Sequence, residues 1–195
     1  MDSPITRKVL TMSAPTHRAV VFIDNAYLSK ILRDEFNKER IHYLDLSDKI
    51  SVGYQRLRTY VYDAYPYQDN PPTREQSDLL SGMQSFIRAL EQLPSFEIRM
   101  GKQRPRPTGY IQKGVDVWLA VDMMRLALKQ QMQKAVLVAG DADYVPVVDA
   151  IKNEGVSVTL YHSQIKSKYS WDLWKRCDER YPITRELIDQ VKLNR

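Results

Sequence analysis

Four aspartates stand at positions where an α/β chain commonly does chemistry. Asp24 directly follows the apolar run AVVFI (Ala19 to Ile23), Asp141 follows AVLVAG (Ala135 to Gly140), and Asp143 comes two residues later. Asp116 lies in the opening turn of a long helical stretch, where the helix dipole favours a carboxylate. Taken singly, each has a plainer account, because aspartate is a common turn and N-cap residue. Taken together they have another. Two parallel strands ending in Asp24 and Asp141 bring both carboxylates to one edge of a sheet, where like charges repel. At about 4 Å and an effective dielectric near 20, one pair costs roughly 4 kcal/mol, so several ionised together need a cation or must share a proton. Oxygen-only ligands select Mg²⁺ or Mn²⁺ over zinc, and a metal-activated water can cleave a phosphodiester without a side-chain nucleophile. The remaining residues agree: His17, His42 and His162 pair with no Ser or Cys, and Cys177 is the only cysteine. Neither a cysteine-based zinc site nor an intrachain disulfide is available to it, and a reducing cytoplasm suits it.

Cations lie beside these acids. The segment RMGKQRPRPTGYIQK carries Arg99, Lys102, Arg104, Arg106 and Lys113 and no acid, immediately before Asp116. These five are the candidate contacts to a phosphate backbone, against a background net charge of +5. A second patch, IKSKYSWDLWKR, interleaves Lys166, Lys168, Lys175 and Arg176 with Tyr169, Trp171 and Trp174. Its composition suits base stacking, but the helical spacing of the two tryptophans favours core packing.

The elements that must hold these residues follow from periodicity. AVVFI, RLRTYVYDAY (Arg56 to Tyr65), SFEIRMG, AVLVAG and VSVTLY read as strands. Helices are expected through Leu28, Ile31 and Leu32, from Arg74 to Leu93, along a strongly amphipathic VDVWLAVDMMRLALKQQ, around Val147, Val148 and Ile151, and over TRELIDQVKL (Thr184 to Leu193) with its stripe packed on the core. RPRPTG reads as a loop. Residues 1–17 read as a flexible tail before one domain over 18–195, since this length suits a single core. No run approaches the roughly 18 apolar residues of a membrane helix, so a soluble, cytoplasmic protein is expected. The alternation of strand and helix implies an α/β domain with a mainly parallel central sheet and helices on both faces.

Three blocks, FIDNAYL (Phe22 to Leu28), KGVDVWLAVDMM (Lys113 to Met124) and VAGDADYVPVV (Val138 to Val148), resemble in order and spacing the signature blocks of LabA-like NYN domains, a family related to PIN-domain nucleases. The likeness runs from about Ala19 to Tyr181 and includes YDAYPY. It implies a PIN-like three-layer α/β/α sandwich and cleavage of RNA, a single strand being the expected form, with Mg²⁺ or Mn²⁺. By position it makes Asp24, Asp116 and Asp141 metal-binding acids and Asp143 a fourth. Asn25 and Asp122 are supporting positions. Six helical residues turn about 600°, so Asp122 points some 120° from Asp116 and suits a salt bridge. The sequence departs from the pattern where Asn25 and Tyr27 replace a common Gly and Asn, and where Ala139 replaces a Ser or Thr whose hydroxyl would orient a carboxylate.

Two rivals remain. VLVAGDADYV is similar to the nucleophile motif of haloacid-dehalogenase-type phosphatases. That reading leaves too little chain after Asp141 and gives Asp24 and Asp116 no part. The other is an RNA-binding or regulatory module that keeps the acidic pocket without turnover, which Ala139 permits. A homodimer is compatible with the sequence.

Overall fold

The computed structural model describes residues 17–193. The expected tail therefore lies, apart from His17, outside the described residues. The sheet begins at Arg18, and the His17 carbonyl already accepts from the Gln55 amide at 3.0 Å.

AVVFI is buried throughout, within strand β1 (Arg18–Asp24). Its residues alternate between two cores: Val20 and Phe22 enter one hydrophobic cluster, Val21 and Ile23 the other. A strand apolar on both sides has to be covered on both sides. Helix α1 (Asn25–Glu35) follows directly and buries Leu28, Ile31 and Leu32. Helix α2 (Tyr43–Ile50), too short for periodicity to announce, leads into β2 (Gln55–Tyr65). Helix α3 (Arg74–Glu91) opens with a capping box between Thr73 and Gln76. Only Ile87 and Leu90 of its apolar stripe are buried, so its first half stands off the core.

Strand β3 (Phe96–Arg106) runs through the segment expected as a loop and returns as β4 (Gly109–Lys113). The reason is edge chemistry. The pairing of β2 with β3 ends at Tyr65 and Lys102, so Pro105, which lacks an N–H, needs no partner on that side. Gly109, at φ 122°, closes the turn. Helix α4 (Val115–Leu128) follows Gly114. It is less amphipathic than expected, since Val117, Trp118, Val121 and Leu128 are exposed opposite its buried face. Then come β5 (Lys134–Val138), α5 (Val145–Asn153), β6 (Ser157–His162), α6 (Trp171–Arg176), a short β7 (Glu179–Pro182) that its sequence did not announce, and α7 (Arg185–Val191). Helix α7 packs into the core through Ile188 and Val191. In α6, Leu173 is the buried residue; Trp174 is partly buried and packs against the core as expected, whereas Trp171 is exposed and stacks on Trp174 at 4.5 Å.

The seven strands are ordered β4-β3-β2-β1-β5-β6-β7, all pairs parallel except β3 with β4. From β1 the chain builds outward through β2 and β3, then crosses back and builds the other way through β5, β6 and β7. The carboxyl ends of β1 and β5 thus flank the point where strand order reverses, which is where such sheets open a ligand crevice.

Candidate active site

Asp24 closes β1 and caps α1: its extended backbone turns the carboxylate back, and Oδ1 accepts from the Tyr27 amide at 3.1 Å. Asp116 enters from the opposite direction, in the first turn of α4 behind Gly114, whose φ of 86° sets the turn. Between them lies Tyr144, fully buried at the end of the short 3₁₀ turn Ala142–Tyr144. Its hydroxyl is 3.1 Å from Asp24 Oδ2 and 2.8 Å from Asp116 Oδ1. One O–H donates fully to one acceptor, so one of the two carboxylates always lacks a full partner.

The electrostatics follow from this crowding. Burial, reinforced by the charges of Asp116 and Asp63, pushes Asp24 up to about 6, although the Tyr27 amide and the Tyr144 hydroxyl favour its charged form. Burial first, and then both neighbouring carboxylates, drive the Tyr144 phenol far above its ordinary value, so it stays a donor.

Asp141 and Asp143 are both exposed, and Asp141, which lines a crevice with Asp24, accepts from the Asp143 amide at 3.1 Å. Asp24, Lys30 and Asp141 line a cavity of about 470 Å³ there, with Lys168, Tyr169 and Ser170 opposite. The close packing explains Gly140: a Cβ on it would lie 2.2 Å from the Tyr27 ring. Tyr27, one of the departures from the family pattern, is thus a wall of the crevice, and its hydroxyl accepts from the Ser163 amide at 2.9 Å. Ala139 is buried and has no hydroxyl to lend.

A divalent cation can be tested against these donors. Among the described residues no group of three or more His, Cys, Asp or Glu is arranged to hold a metal ion, so the expected four-carboxylate cluster is not assembled. Asp141 and Asp143 stay outside the pair that Asp24 and Asp116 form. Two carboxylates with no nitrogen or sulfur donor still fit Mg²⁺, which commonly takes one or two carboxylates and completes its shell with water and phosphate.

Other expected site residues divide. Asp122 is buried away from the pair, accepts from Tyr62 at 3.2 Å, and forms ion pairs with Arg99 at 3.2 Å and Arg125 at 2.8 Å. Arg99 is thereby removed from the phosphate contacts: its guanidinium is held by Asp122 and Glu97 and lies over the Tyr60 ring. Lys102, Arg104, Arg106 and Lys113 remain, on the hairpin that leads into Asp116. Residues two apart share a strand face and directly paired residues share a side, so the pairing of Lys102 with Lys113 puts all four on one face. None has a carboxylate partner among the described residues.

Asn25 faces a residue that sequence reasoning missed. Its Nδ2 donates to Asp63 Oδ2 at 2.6 Å, and its Oδ1 accepts from Tyr43. Asp63 is buried near the carboxyl end of β2, one position beyond the level of Asp24, and accepts also from the Ala64 amide at 2.7 Å and Gln112 at 3.4 Å. Burial raises its pKa, opposed by these hydrogen bonds. The available signal was an acid inside the apolar strand YVYDAY.

Three comparisons bear on this arrangement. The family model described as "NYN domain" matches residues 18–184. A crystal structure of a protein of unknown function from Vibrio parahaemolyticus superposes with a TM-score of 0.63 at 16% identity, covering 93% of this chain and 99% of the other, which shows a shared fold. No curated protein matches.

Proposed function

Starting from the fact that this chain belongs to the NYN domain family, a group of PIN-like nucleases, we propose that it is a ribonuclease that hydrolyses single-stranded RNA with Mg²⁺ or Mn²⁺ held by Asp24 and Asp116. The carrying observation is the convergence of these two carboxylates, from elements far apart in the chain, on one buried phenol. In the same reading the two helical layers and their sheet are the α/β/α sandwich of PIN-like nucleases, FIDNAYL and its companion blocks place the chain in the LabA-like subfamily, and the protein is cytoplasmic.

When bound, the ion supplies an activated water and neutralises charge on the scissile phosphate. Tyr144 holds Asp24 and Asp116 side by side through its hydroxyl. Asp141, which lines the crevice with Asp24 and Lys30, would accept a hydrogen bond from the attacking water, and Lys30 and the hairpin cations would hold the flanking phosphates. Asp143 fixes Asp141 through its backbone N–H.

The test is cleavage of labelled single-stranded RNA by wild type, Asp24→Asn and Asp116→Asn in Mg²⁺, in Mn²⁺ and in chelator. Each substitution is expected to lower the rate by about 10²-fold or more, and chelator to abolish it. Cleavage that survives chelator overturns the reading. A second reading, an RNA-binding or regulatory module without turnover, draws support from the absence of a third converging acid among the described residues. It predicts that wild type binds RNA without cutting it and that both substitutions leave binding intact.

A further inference from the structure

Next to the carboxylate pair, a larger cleft of about 890 Å³ opens between α1, α2 and the half of α3 that stands off the core. Its size is within the range of small-molecule sites. The floor is polar: Asn25, Tyr43 and Asp63 line it. One wall is apolar: Leu79, Met83 and Phe86, three and four residues apart on α3, line it as well. Leu79 is 58% exposed, so this wall offers apolar surface to an occupant.

The chemistry of the floor restricts the occupant. Asp63 is 6% exposed and has no cation partner among the described residues, although a buried carboxylate is costly unless it is paired or well hydrogen-bonded. An ionised carboxylate offers about four acceptor positions. Ala64 and Gln112 use Oδ1 and Asn25 uses Oδ2, and the Gln112 bond is long at 3.4 Å. One position on Oδ2 is therefore free, and one on Oδ1 is exchangeable. The lining charges disfavour a phosphate, since the three acids Asp63, Glu75 and Asp78 outnumber the single cation Arg74. Nor are these three acids, or any other three among the described residues, arranged to hold a metal ion. The remaining class is a flat, neutral molecule with an apolar face and two adjacent N–H donors on one edge. Among the nucleobases only guanine presents that edge. Adenine and cytosine set an acceptor beside their amino group, and uracil flanks its single N–H with carbonyls.

Proximity says which base this would be. Asn25 follows Asp24 in the chain and bonds Asp63, and Asp63 is near enough for its charge to act on Asp24. We propose that the cleft is a nucleobase subsite for the residue adjoining the scissile phosphate and that it favours guanine, whose N1–H and N2–H donate to Asp63 while its ring lies along Leu79, Met83 and Phe86. The proposal rests on reading the neighbouring crevice as the phosphodiester site, and it adds base preference to that reading.

Equilibrium binding separates the two. Fluorescent uridine hexanucleotides carrying a single guanosine, adenosine or cytidine, and the all-uridine parent, are titrated against the protein in chelator, where cleavage is absent. The guanosine oligonucleotide is expected to bind about tenfold tighter, the discrimination of one bidentate base contact. Gly82→Trp fills the cleft from a helical position where an added Cβ meets nothing within 4 Å. It should erase the preference while keeping the thermal midpoint, and Asp63→Asn should reverse it by replacing an acceptor with a donor. Equal binding of all four oligonucleotides, binding of none, or a preference that survives Gly82→Trp overturns the subsite. A guanosine preference in a protein that never cleaves in Mg²⁺ or Mn²⁺ upholds the subsite and removes the nuclease reading. Cleavage with no base preference does the opposite.

Discussion

At the scale of single residues the site is a place of unrelieved charge, and its cost should be measurable. Asp24 is raised from an ordinary carboxylate value to about 6, chiefly by burial. The folded chain therefore holds this proton more tightly than the unfolded one, and stability falls as pH rises from about 4 to about 6. Above that window a penalty of about 2 kcal/mol persists, once the solvent that still reaches the side chain is allowed for. Asp24→Asn keeps an acceptor for the Tyr27 amide and cannot ionise. It should melt higher than wild type at pH 7 and at the same temperature near pH 4, while losing activity. Parallel pH profiles for the two proteins would show that Asp24 carries no such strain. Gly140 tests the opposite wall. Gly140→Ala drives a methyl into the Tyr27 ring, so it should destabilise by about 1–3 kcal/mol in urea unfolding. Tyr27→Leu in the same chain should recover part of that loss, a non-additivity that independent sites do not show.

At the scale of elements, two connections decide what α4 presents. Asp122 ties the middle of α4 to β2 through Tyr62 and to β3 through Arg99. Asp122→Ala leaves Arg99 and the Tyr62 hydroxyl without their acceptor, and a loss of about 3 kcal/mol in chemical denaturation is expected. Cleavage per folded molecule should stay close to wild type, because this carboxylate is turned away from Tyr144. A specific activity lowered 10²-fold in folded protein would place Asp122 in the chemistry after all. The family pattern and the helical geometry pointed in different directions for this residue, and the ion pairs follow the geometry.

At the scale of the molecule, Asp24 and Asp116 meet where strand order reverses, and four cations without a carboxylate partner among the described residues, Lys102, Arg104, Arg106 and Lys113, stand on the β3–β4 hairpin that leads into Asp116. RNA affinity should therefore fall linearly with salt on logarithmic axes. Lys113→Glu should lower the slope by about one and weaken all sequences alike, as a phosphate contact does. It should leave stability unchanged or a few tenths of a kcal/mol higher, because Lys102 and Lys113 are directly opposed like charges. An unaltered slope would remove the hairpin from the RNA path. Among the described residues no helix is long and apolar enough to cross a membrane.

Much of this architecture was legible in the chain itself. AVVFI, AVLVAG and VSVTLY are strands because a doubly covered parallel strand must be apolar at every position, and the aspartates that follow two of them fall at the strand ends by simple succession. Such features depend on neighbours a few residues away, so local spacing determines them. Tyr144 between Asp24 and Asp116, Asp63 beneath Asn25, and Arg99 drawn off by Asp122 depend on which strands lie side by side, and no local pattern encodes that. Only the assembled sheet, by bringing together carboxylates from separate elements around one hydroxyl, decided which acids share a proton donor and which stand alone.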